Sequence, residues 1–306
     1  MSNTYDVIII GGGPAGLSAG LYTSRARLKT LLIEKAIVGG QITNAERVEN
    51  YPGFPDGISG FELGELMRRQ AESFGLEIKY AAALGLKLRG NERVIETTEG
   101  EYIAKAVIIA GGATLHRLNI PGEEKLTGRG VSYCATCDGP FFKDRVVAAV
   151  GGGDSAVEEG LLLTRFASRV IVIHRRDQLR ASKILQERAF ANKKMEFLWD
   201  SLVEDIQGEN KVTTIKIRNV KTGQTTALEV SAVFIYVGQR PNTDYLKGLV
   251  PLDEKGCIII NERMETQIKG IFAAGDIRQN SPRQVITAAG DGVTAALSSE
   301  KFLGGQ

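Results

Sequence analysis

Two cysteines separated by two residues form the most chemically distinctive pair in this sequence. Cys134 and Cys137 make the only Cys-x-x-Cys arrangement among 306 residues, a spacing that permits a disulfide and often lowers one thiol pKa. Asp138 follows directly and could exchange a proton with a departing thiolate. A zinc site would need two more ligands at suitable spacing, but the third cysteine and both histidines lie scattered elsewhere. The pattern therefore predicts a redox dithiol without a metal, the alternative being two unrelated buried thiols.

One sequence unit occurs twice, with its two copies 140 residues apart. We expect it to form the elements that position the groups with which these thiols exchange electrons. Residues 7–36 align with residues 147–176 without a gap, and each copy combines an apolar strand, a glycine turn, a helix and a second strand. The turns read Gly-x-Gly-x-x-Gly from Gly11 and Gly-x-Gly-x-x-Ala from Gly151. Such a turn lets a pyrophosphate approach the backbone, and the following helix directs free N–H groups at it. Two nucleotide-binding units are predicted, the alternative being two structural turns without a ligand.

The copies differ where the second strand ends, which is the position that selects the ribose of a bound nucleotide. Glu34 ends that strand in the first copy, and a carboxylate there accepts hydrogen bonds from an unphosphorylated ribose, as in FAD or NAD. His174, Arg175 and Arg176 follow the strand in the second copy, with Arg180 one turn further on. Because guanidinium groups suit a phosphate on the ribose 2′ oxygen, this copy is predicted to bind NADPH. The alternative is a solvated basic helix start.

The remaining elements suggest that one domain is inserted into another. Ser59 and Glu62 have the spacing of a helix cap, and Gly75 is a suitable stop. We expect helices at 60–74 and 284–302 and strands at 103–110, 232–237 and 270–274. Strands that end in glycines flank the second copy, so crossings between domains are expected near 113–121 and 237–244. The predicted fold class is α/β, with two Rossmann-like dinucleotide-binding domains.

Composition narrows the class of protein further. Lys and Arg number 38 against 36 Asp and Glu, so the net charge of +2 gives no electrostatic footprint for nucleic acid or an anionic membrane. The N-terminus shows no secretory signal, and no apolar run approaches the ~20 residues that span a bilayer. We therefore expect a cytoplasmic protein that binds neither nucleic acid nor membranes. Cys257 lies in an apolar run and is expected to be a packed core residue.

These residues together resemble the low-molecular-weight thioredoxin reductases, a class of FAD-dependent pyridine nucleotide-disulfide oxidoreductases. The similarity covers essentially the whole chain and includes both glycine turns and the Cys-Ala-Thr-Cys-Asp-Gly and His-Arg-Arg-Asp-x-x-Arg-Ala segments. Further shared motifs are Gly39-Gly40-Gln41 with Thr43, Glu49-Asn50-Tyr51-Pro52-Gly53, Ala273-Ala274-Gly275-Asp276, Arg283-Gln284 and Ala288-Ala289-Gly290-Asp291-Gly292. Two departures are Gly111, where the family usually has threonine, and Pro282, where an aromatic residue is common.

The resemblance implies an FAD-binding domain, residues 1–115 and 241–306, split around an inserted NADPH-binding domain, residues 116–240, that carries the cysteines. The implied FAD contacts are Gly11, Gly13, Pro14, Ala15, Gly16, Glu34, Lys35, Gly40, Gln41, Thr43, Asn50, Gly275, Asp276, Arg283 and Gln284. The implied NADPH contacts are Gly151, Gly153, Asp154, Ser155, Ala156, His174, Arg175, Arg176 and Arg180. Cys137 would be the thiol nearest the flavin, and Cys134 would exchange with the protein substrate.

The activity implied by the resemblance is NADPH-dependent thioredoxin-disulfide reduction. NADPH would reduce FAD, which would reduce the Cys134–Cys137 disulfide, and the dithiol would reduce thioredoxin or a similar small redox protein. Since the cysteines and the NADPH site share one domain, that domain would rotate between two orientations. The family also suggests a homodimer. The alternatives are a reductase of a peroxiredoxin or a glutaredoxin-like protein, an enzyme that takes electrons from a ferredoxin, and a non-enzymatic redox sensor.

Overall fold

The computed structural model describes residues 3–45, 48–246 and 248–305 of the chain. It divides into two compact units: the split unit, Met1–Thr114 with Arg240–Gln306, and the inserted unit, Leu115–Gln239. The boundaries between the units, after Thr114 and after Gln239, each lie one residue earlier in the chain than the domain boundaries that the resemblance implies. The chain crosses from one unit to the other in two short strands, Ala113–Leu115 and Gln239–Pro241, which pair with each other. The ligand assigned to each unit remains a prediction.

The elements follow one another in three stretches of chain. The first stretch contains β1 (Thr4–Ile10), α1 (Pro14–Arg25), β2 (Thr30–Glu34), α2 (Gly60–Glu72), β3 (Glu77–Tyr80), β4 (Ala83–Arg89), β5 (Glu92–Thr97), β6 (Gly100–Ile109) and β7 (Ala113–Leu115). The inserted unit contains α3 (Glu123–Leu126), β8 (Val131–Ser132), α4 (Ala135–Asp138), β9 (Val146–Gly151), α5 (Asp154–Leu163), β10 (Arg169–Ile173), α6 (Lys183–Ala191), β11 (Met195–Leu198), β12 (Ser201–Gln207), β13 (Thr214–Asn219), β14 (Thr225–Glu229) and β15 (Ala232–Tyr236). The last stretch contains β16 (Gln239–Pro241), β17 (Ile271–Ala273) and α7 (Val285–Gly304).

A seven-stranded sheet forms the centre of the split unit. Its strand order is β3-β2-β1-β6-β5-β4, and β17 also pairs with β6. β1 lies parallel to both β2 and β6, whereas β4, β5 and β6 form an antiparallel meander. Ile8 and Ile9 are fully buried and pack into two different hydrophobic clusters, because successive side chains point to opposite faces of a sheet. Burial on both faces explains why this strand reads as a continuous apolar run.

The inserted unit repeats this plan with a smaller sheet. Five parallel strands have the order β11-β10-β9-β15-β8, and a separate antiparallel sheet contains β12, β13 and β14. Ala148 and Ala149 of β9 are fully buried in two different clusters, as in the first unit. Each unit therefore contains a parallel strand–turn–helix–strand arrangement, and the predicted α/β fold class is confirmed.

Identifiable contacts fix the ends and the packing of the predicted helices. The Ser59 side chain accepts the N–H of Glu62 at the start of α2, and Gly75, with a φ of 98°, lies just beyond its end. A Cβ at Gly292 would lie 2.0 Å from the backbone oxygen of Ala15, so glycine lets α7 pack closely on α1. In the described ranges, no helix is long and apolar enough to cross a membrane.

Candidate active site

The predicted redox pair is a disulfide in the inserted unit. Cys134 and Cys137 are bonded across α4, with their Cα atoms 5.4 Å apart. Cys134 is the N-cap residue of this short helix, and its Sγ accepts the backbone N–H of Cys137 at 3.1 Å. Its own N–H donates to the hydroxyl oxygen of Ser132 at 3.1 Å. The prediction of a Cys-x-x-Cys disulfide is therefore confirmed, and the alternative of two unrelated buried thiols is wrong.

The two bonded cysteines differ in exposure. Cys137 is exposed, whereas Cys134 is half-buried. Exposure alone therefore does not favour Cys134 as the thiol that a protein substrate reaches. The division of roles implied by the resemblance remains a prediction.

Asp138, predicted to exchange a proton with a thiolate, lines a pocket of the inserted unit. The pocket has a volume of about 390 Å³, and its lining includes the cationic side chains of Arg129, Arg145 and Lys211. The proton-transfer role of Asp138 remains a prediction. Cys257, by contrast, is buried in the split unit, and burial raises the pKa of its thiol, so it has the environment of a core residue.

The first glycine turn and Glu34 form one hydrogen-bonded group in the split unit. Glu34 is only 9% exposed, and its two carboxylate oxygens accept the N–H of Gly12 at 2.7 Å and of Ala36 at 2.8 Å. A carboxylate has about four acceptor sites, so sites remain for ribose hydroxyls. A Cβ at Gly16 would lie 1.8 Å from the backbone oxygen of Gly11, so only glycine lets the helix start this close to the turn. This geometry fits the adenosine end of a dinucleotide.

Two further segments of the split unit meet this turn. A Cβ at Gly40 would lie 2.9 Å from the Cα of Gly13, which shows how closely the segment after β2 approaches the glycine turn. A Cβ at Gly275 would lie 3.0 Å from the Cβ of Ala15, which brings the segment after β17 to the same place. The turn itself continues into α1 through the predicted contacts Gly13, Pro14, Ala15 and Gly16. Residues that are distant in sequence but were predicted to bind one cofactor therefore lie around one turn.

Hydrogen bonds also link the polar side chains predicted to lie near a flavin. Asn50 donates through Nδ2 to Oε1 of Gln284 at 3.0 Å, which joins two distant segments. Thr43 donates its hydroxyl to the backbone oxygen of Gly40 at 2.8 Å. Gln41 donates its side-chain N–H to a backbone oxygen of β7. Each of these side chains is held by a hydrogen bond within the split unit, and their contacts with a flavin remain predictions.

A buried ion pair that sequence reasoning missed holds the turn at Asp276. Arg278 donates through Nε to Oδ2 of Asp291 at 2.7 Å and through Nη2 to Oδ1 at 2.9 Å. The same carboxylate accepts the N–H of Gly275 at 3.1 Å. Asp276 accepts the hydroxyl of Ser281 at 3.2 Å, and burial raises the pKa of its carboxyl group. The presence of Asp291 in a shared motif was the only signal, since nothing local pairs it with Arg278.

The two departures from the family pattern have modest local effects. A Cβ at Gly111 would lie 3.4 Å from Cδ1 of Ile277, an ordinary contact, so nothing there requires glycine. Pro282 is exposed, and Arg283 after it has a φ of 58°, a left-handed conformation uncommon for a residue with a side chain. The side chains of Arg283 and Lys35, both predicted to contact FAD, are exposed.

The second glycine turn is closed by the loop that follows β10. Gly151 has a φ of 149°, and a Cβ there would lie 2.4 Å from a backbone oxygen of β15. Arg180 donates its backbone N–H to the oxygen of Gly152 at 2.7 Å, and Asp154 accepts the N–H of Ser182 at 2.6 Å. The carboxylate of Asp154 therefore positions the loop that carries Arg180. The other predicted contacts of this turn lie at the N-cap and in the first turn of α5: Gly153, Ser155 and Ala156.

Basic side chains surround the end of β10, where the sequence predicts recognition of a phosphate. Arg175, Arg176 and Arg180 are exposed, and their guanidinium groups make no hydrogen bond or ion pair within the described ranges. His174 is only 5% exposed, and its Nε2 has no hydrogen-bond partner in the described part of the chain. Burial, reinforced by the three guanidinium charges, lowers the pKa of His174 and keeps the ring neutral at pH 7. The exposed and uncompensated guanidinium groups fit an anionic group such as a 2′-phosphate.

Comparison with known proteins agrees with this geometry. The sequence profile of the pyridine nucleotide-disulphide oxidoreductases matches residues 5–292, and the chain belongs to this family of oxidoreductases. It is 52% identical over 301 residues to a thioredoxin reductase of Bacillus subtilis, covering 98% of this chain and 95% of the relative. It is 49% identical over 306 residues to a thioredoxin reductase of Streptomyces coelicolor, covering 99% and 95% respectively.

A solved structure shows the same relationship. The crystal structure of Lactococcus lactis thioredoxin reductase in its FR conformation matches with a TM-score of 0.97 and 47% sequence identity. The match covers 99% of this chain and 100% of that one. Within its family, the chain therefore groups with the low-molecular-weight thioredoxin reductases, which confirms the resemblance seen in the sequence.

Proposed function

We propose that this chain is an NADPH-dependent thioredoxin reductase that contains FAD. One observation carries the proposal: the Cys134–Cys137 disulfide lies on the inserted unit of a chain about half identical, over its whole length, to thioredoxin reductases. A homodimer and a cytoplasmic location remain predictions that follow from the family.

FAD is the cofactor that the split unit fits best. The first glycine turn and the N-terminus of α1 would hold the pyrophosphate. Glu34 would accept hydrogen bonds from the adenosine ribose, and Asp276 would accept them from the ribityl chain. Arg278 and Asp291 would keep the Asp276 turn in place through their buried ion pair. Bound FAD would supply two-electron transfer between the nicotinamide and the disulfide.

The inserted unit would bind NADPH through its own glycine turn and the basic side chains beyond β10. Arg175, Arg176 and Arg180 would each direct N–H groups at the 2′-phosphate, because no acidic side chain within the described ranges occupies them. Asp154 would act indirectly, since it binds the backbone of the loop that carries Arg180.

The cysteines would deliver electrons by dithiol exchange. The Cys134 thiolate would attack the acceptor disulfide, forming a mixed disulfide and releasing one acceptor thiolate. Cys137 would then attack the Cys134 sulfur of the mixed disulfide, which restores the protein disulfide and releases the reduced acceptor. Asp138 would exchange the proton that accompanies these steps. Rotation of the inserted unit between two orientations, about the crossing strands β7 and β16, remains part of the proposal.

A single assay separates this proposal from its alternatives. We expect the purified FAD-bound protein to oxidise NADPH continuously when oxidised thioredoxin is present, and far more slowly with NADH. Turnover only with a peroxiredoxin or a glutaredoxin-like protein would replace the acceptor. Reduction by ferredoxin and not NADPH would replace the donor. Absence of turnover with every disulfide acceptor and donor would favour a redox sensor and overturn the enzymatic proposal.

Phe141 is expected to help bind the protein acceptor. Its side chain is 80% exposed, four residues after Cys137, and an aromatic group so placed is suited to pack against a partner protein. We expect Phe141→Ala to raise the KM for thioredoxin about tenfold, with little change in the reduction of a small disulfide such as 5,5′-dithiobis(2-nitrobenzoate). Phe190→Ala, which removes another exposed phenylalanine of the inserted unit, serves as the control and should leave both KM values unchanged. Equal loss with both acceptors would contradict a docking role.

A further inference from the structure

A carboxylate of the second nucleotide-binding unit, beyond its glycine turn, lies against the redox helix. Glu159 of α5 accepts, through Oε2, the backbone N–H of Ala135 at 3.0 Å. Ala135 is fully buried and directly follows Cys134. The same oxygen lies 3.4 Å from the hydroxyl of Tyr236, the last residue of β15. One carboxylate therefore joins the redox helix, the nucleotide helix and the central sheet of the inserted unit.

The surroundings of this carboxylate disfavour its ionised form. Burial raises the pKa of Glu159 to about 6, and the neighbouring carboxylate of Glu158 adds to the increase. The hydrogen bonds from Ala135 and Tyr236 act in the opposite direction by favouring the anion. Tyr236 remains a hydroxyl donor, because burial and the charge of Glu159 both raise its own pKa, with Asp138 of α4 contributing. Glu159 is therefore mainly an anion at pH 7 and becomes neutral as the pH falls through 6.

Two opposing influences act on the cysteine pair. The N–H of Cys137 points at Sγ of Cys134, and such a bond favours a thiolate on that sulfur once the disulfide is reduced. An anion bound to the adjacent peptide disfavours the same thiolate. We propose that Glu159 is a positioning residue for the Cys134–Cys137 pair: it fixes the Cys134–Ala135 peptide and opposes thiolate formation after reduction.

The inference rests on the proposed function, because it concerns a pair that would pass electrons to an acceptor disulfide. The experiment that tests it does not depend on that function. A dithiol whose thiolate form is disfavoured is a stronger reductant, because stabilising the thiolate is what makes a disulfide oxidising. Glu159 would thus favour passing electrons from the pair to an acceptor disulfide. The property itself belongs to the reduced chain and can be measured without NADPH or thioredoxin.

The test is the pH dependence of alkylation of the reduced protein by iodoacetamide. Glu159→Gln keeps an oxygen acceptor for Ala135 and removes the charge, so we expect the apparent pKa of the reactive thiol to fall by about one. At neutral pH, about ten times more thiolate, offset by about threefold weaker nucleophilicity, should give a net rate increase of about threefold. Below pH 5 the two proteins should react alike, since the wild-type Glu159 carboxyl group is then neutral, as the amide of the variant always is. Mass spectrometry of the alkylated peptide identifies the sulfur.

Two further variants separate charge from position. Glu158→Gln removes a charge from the same helix without touching the bond to Ala135, and should move the thiol pKa much less. Glu159→Ala removes both charge and acceptor, so it should show the same fall in the thiol pKa and a loss of thioredoxin turnover about tenfold larger than that of Glu159→Gln, because it also frees the Ala135 N–H. An unchanged thiol pKa in Glu159→Gln, or an equal shift in Glu158→Gln, overturns the inference while leaving the reductase activity intact. Conversely, a wild-type protein inactive toward thioredoxin would remove the proposed function without altering the thiol titration.

Discussion

Cys137→Ser is expected to lower NADPH-driven thioredoxin reduction by more than about 1000-fold, while the protein remains yellow with bound FAD. The variant cannot form the Cys134–Cys137 disulfide, so it has no group that can store the electron pair and pass it to an acceptor. Losing a nucleophile that acts as part of a unit commonly costs this much in kcat. The predicted FAD contacts all belong to the split unit, so the variant should keep its FAD. Steady-state assays and an absorbance spectrum of the same preparation measure both properties.

The third cysteine provides the matched control for this prediction. Cys257 is buried and free, and the structure gives it no part in exchange. Cys257→Ala should therefore keep normal turnover, with at most a modest loss of thermal stability. Disulfide reductase activity that persists in Cys137→Ser would remove the assigned role of this residue. Activity lost equally in both variants would show that the effect is structural.

Replacing Arg175 and Arg176 together with glutamine is expected to lower kcat/KM for NADPH about 100-fold. Hydrogen bonds to a charged group contribute about 1.5–3 kcal/mol each, and the two lost here should cost at least about 3 kcal/mol together. The value for NADH, which lacks the 2′-phosphate, should change only a few-fold. Initial rates with each nucleotide at saturating thioredoxin give the ratio directly.

An arginine at the opposite end of the same strand tests whether this effect is local. Arg169 begins β10, is paired with Glu196, and lies outside the basic group beyond the strand. Arg169→Gln should leave the preference for NADPH intact. Parallel losses for NADPH and NADH in the Arg175/Arg176 variant would mean that these guanidinium groups do not recognise the 2′-phosphate.

The sequence predicted the parts of the fold that local chemistry dictates. A strand buried on both faces must be apolar throughout, so β1 and β9 could be recognised as continuous runs. Gly16 must be glycine because a Cβ there would collide with the backbone of Gly11, and this steric requirement explains the last glycine of the first motif. The cysteine spacing likewise permitted a disulfide, and the structure places the two Cα atoms 5.4 Å apart, within the range of a disulfide.

Tertiary contacts account for what the sequence could not predict. Glu159 reads as an ordinary helix residue, and only packing of α5 against α4 brings it to the N–H of Ala135. The Arg278–Asp291 pair depends on how the turn after β17 folds back on α7. The grouping of Asn50 with Gln284 was inferred from resemblance, because no periodicity links segments so far apart. Pairwise contacts between distant elements leave no local pattern in composition or spacing.

Whether electrons from NADPH reach the cysteine pair can be measured directly. The FAD-bound protein would be mixed anaerobically with NADPH, without thioredoxin, then alkylated and analysed by mass spectrometry. We expect both Cys134 and Cys137 to become alkylated within one turnover time, and neither to do so without NADPH or in protein stripped of FAD. If the two cysteines stay bonded while the flavin is reduced, the disulfide does not lie on the path of the electrons and the proposed reductase mechanism is contradicted.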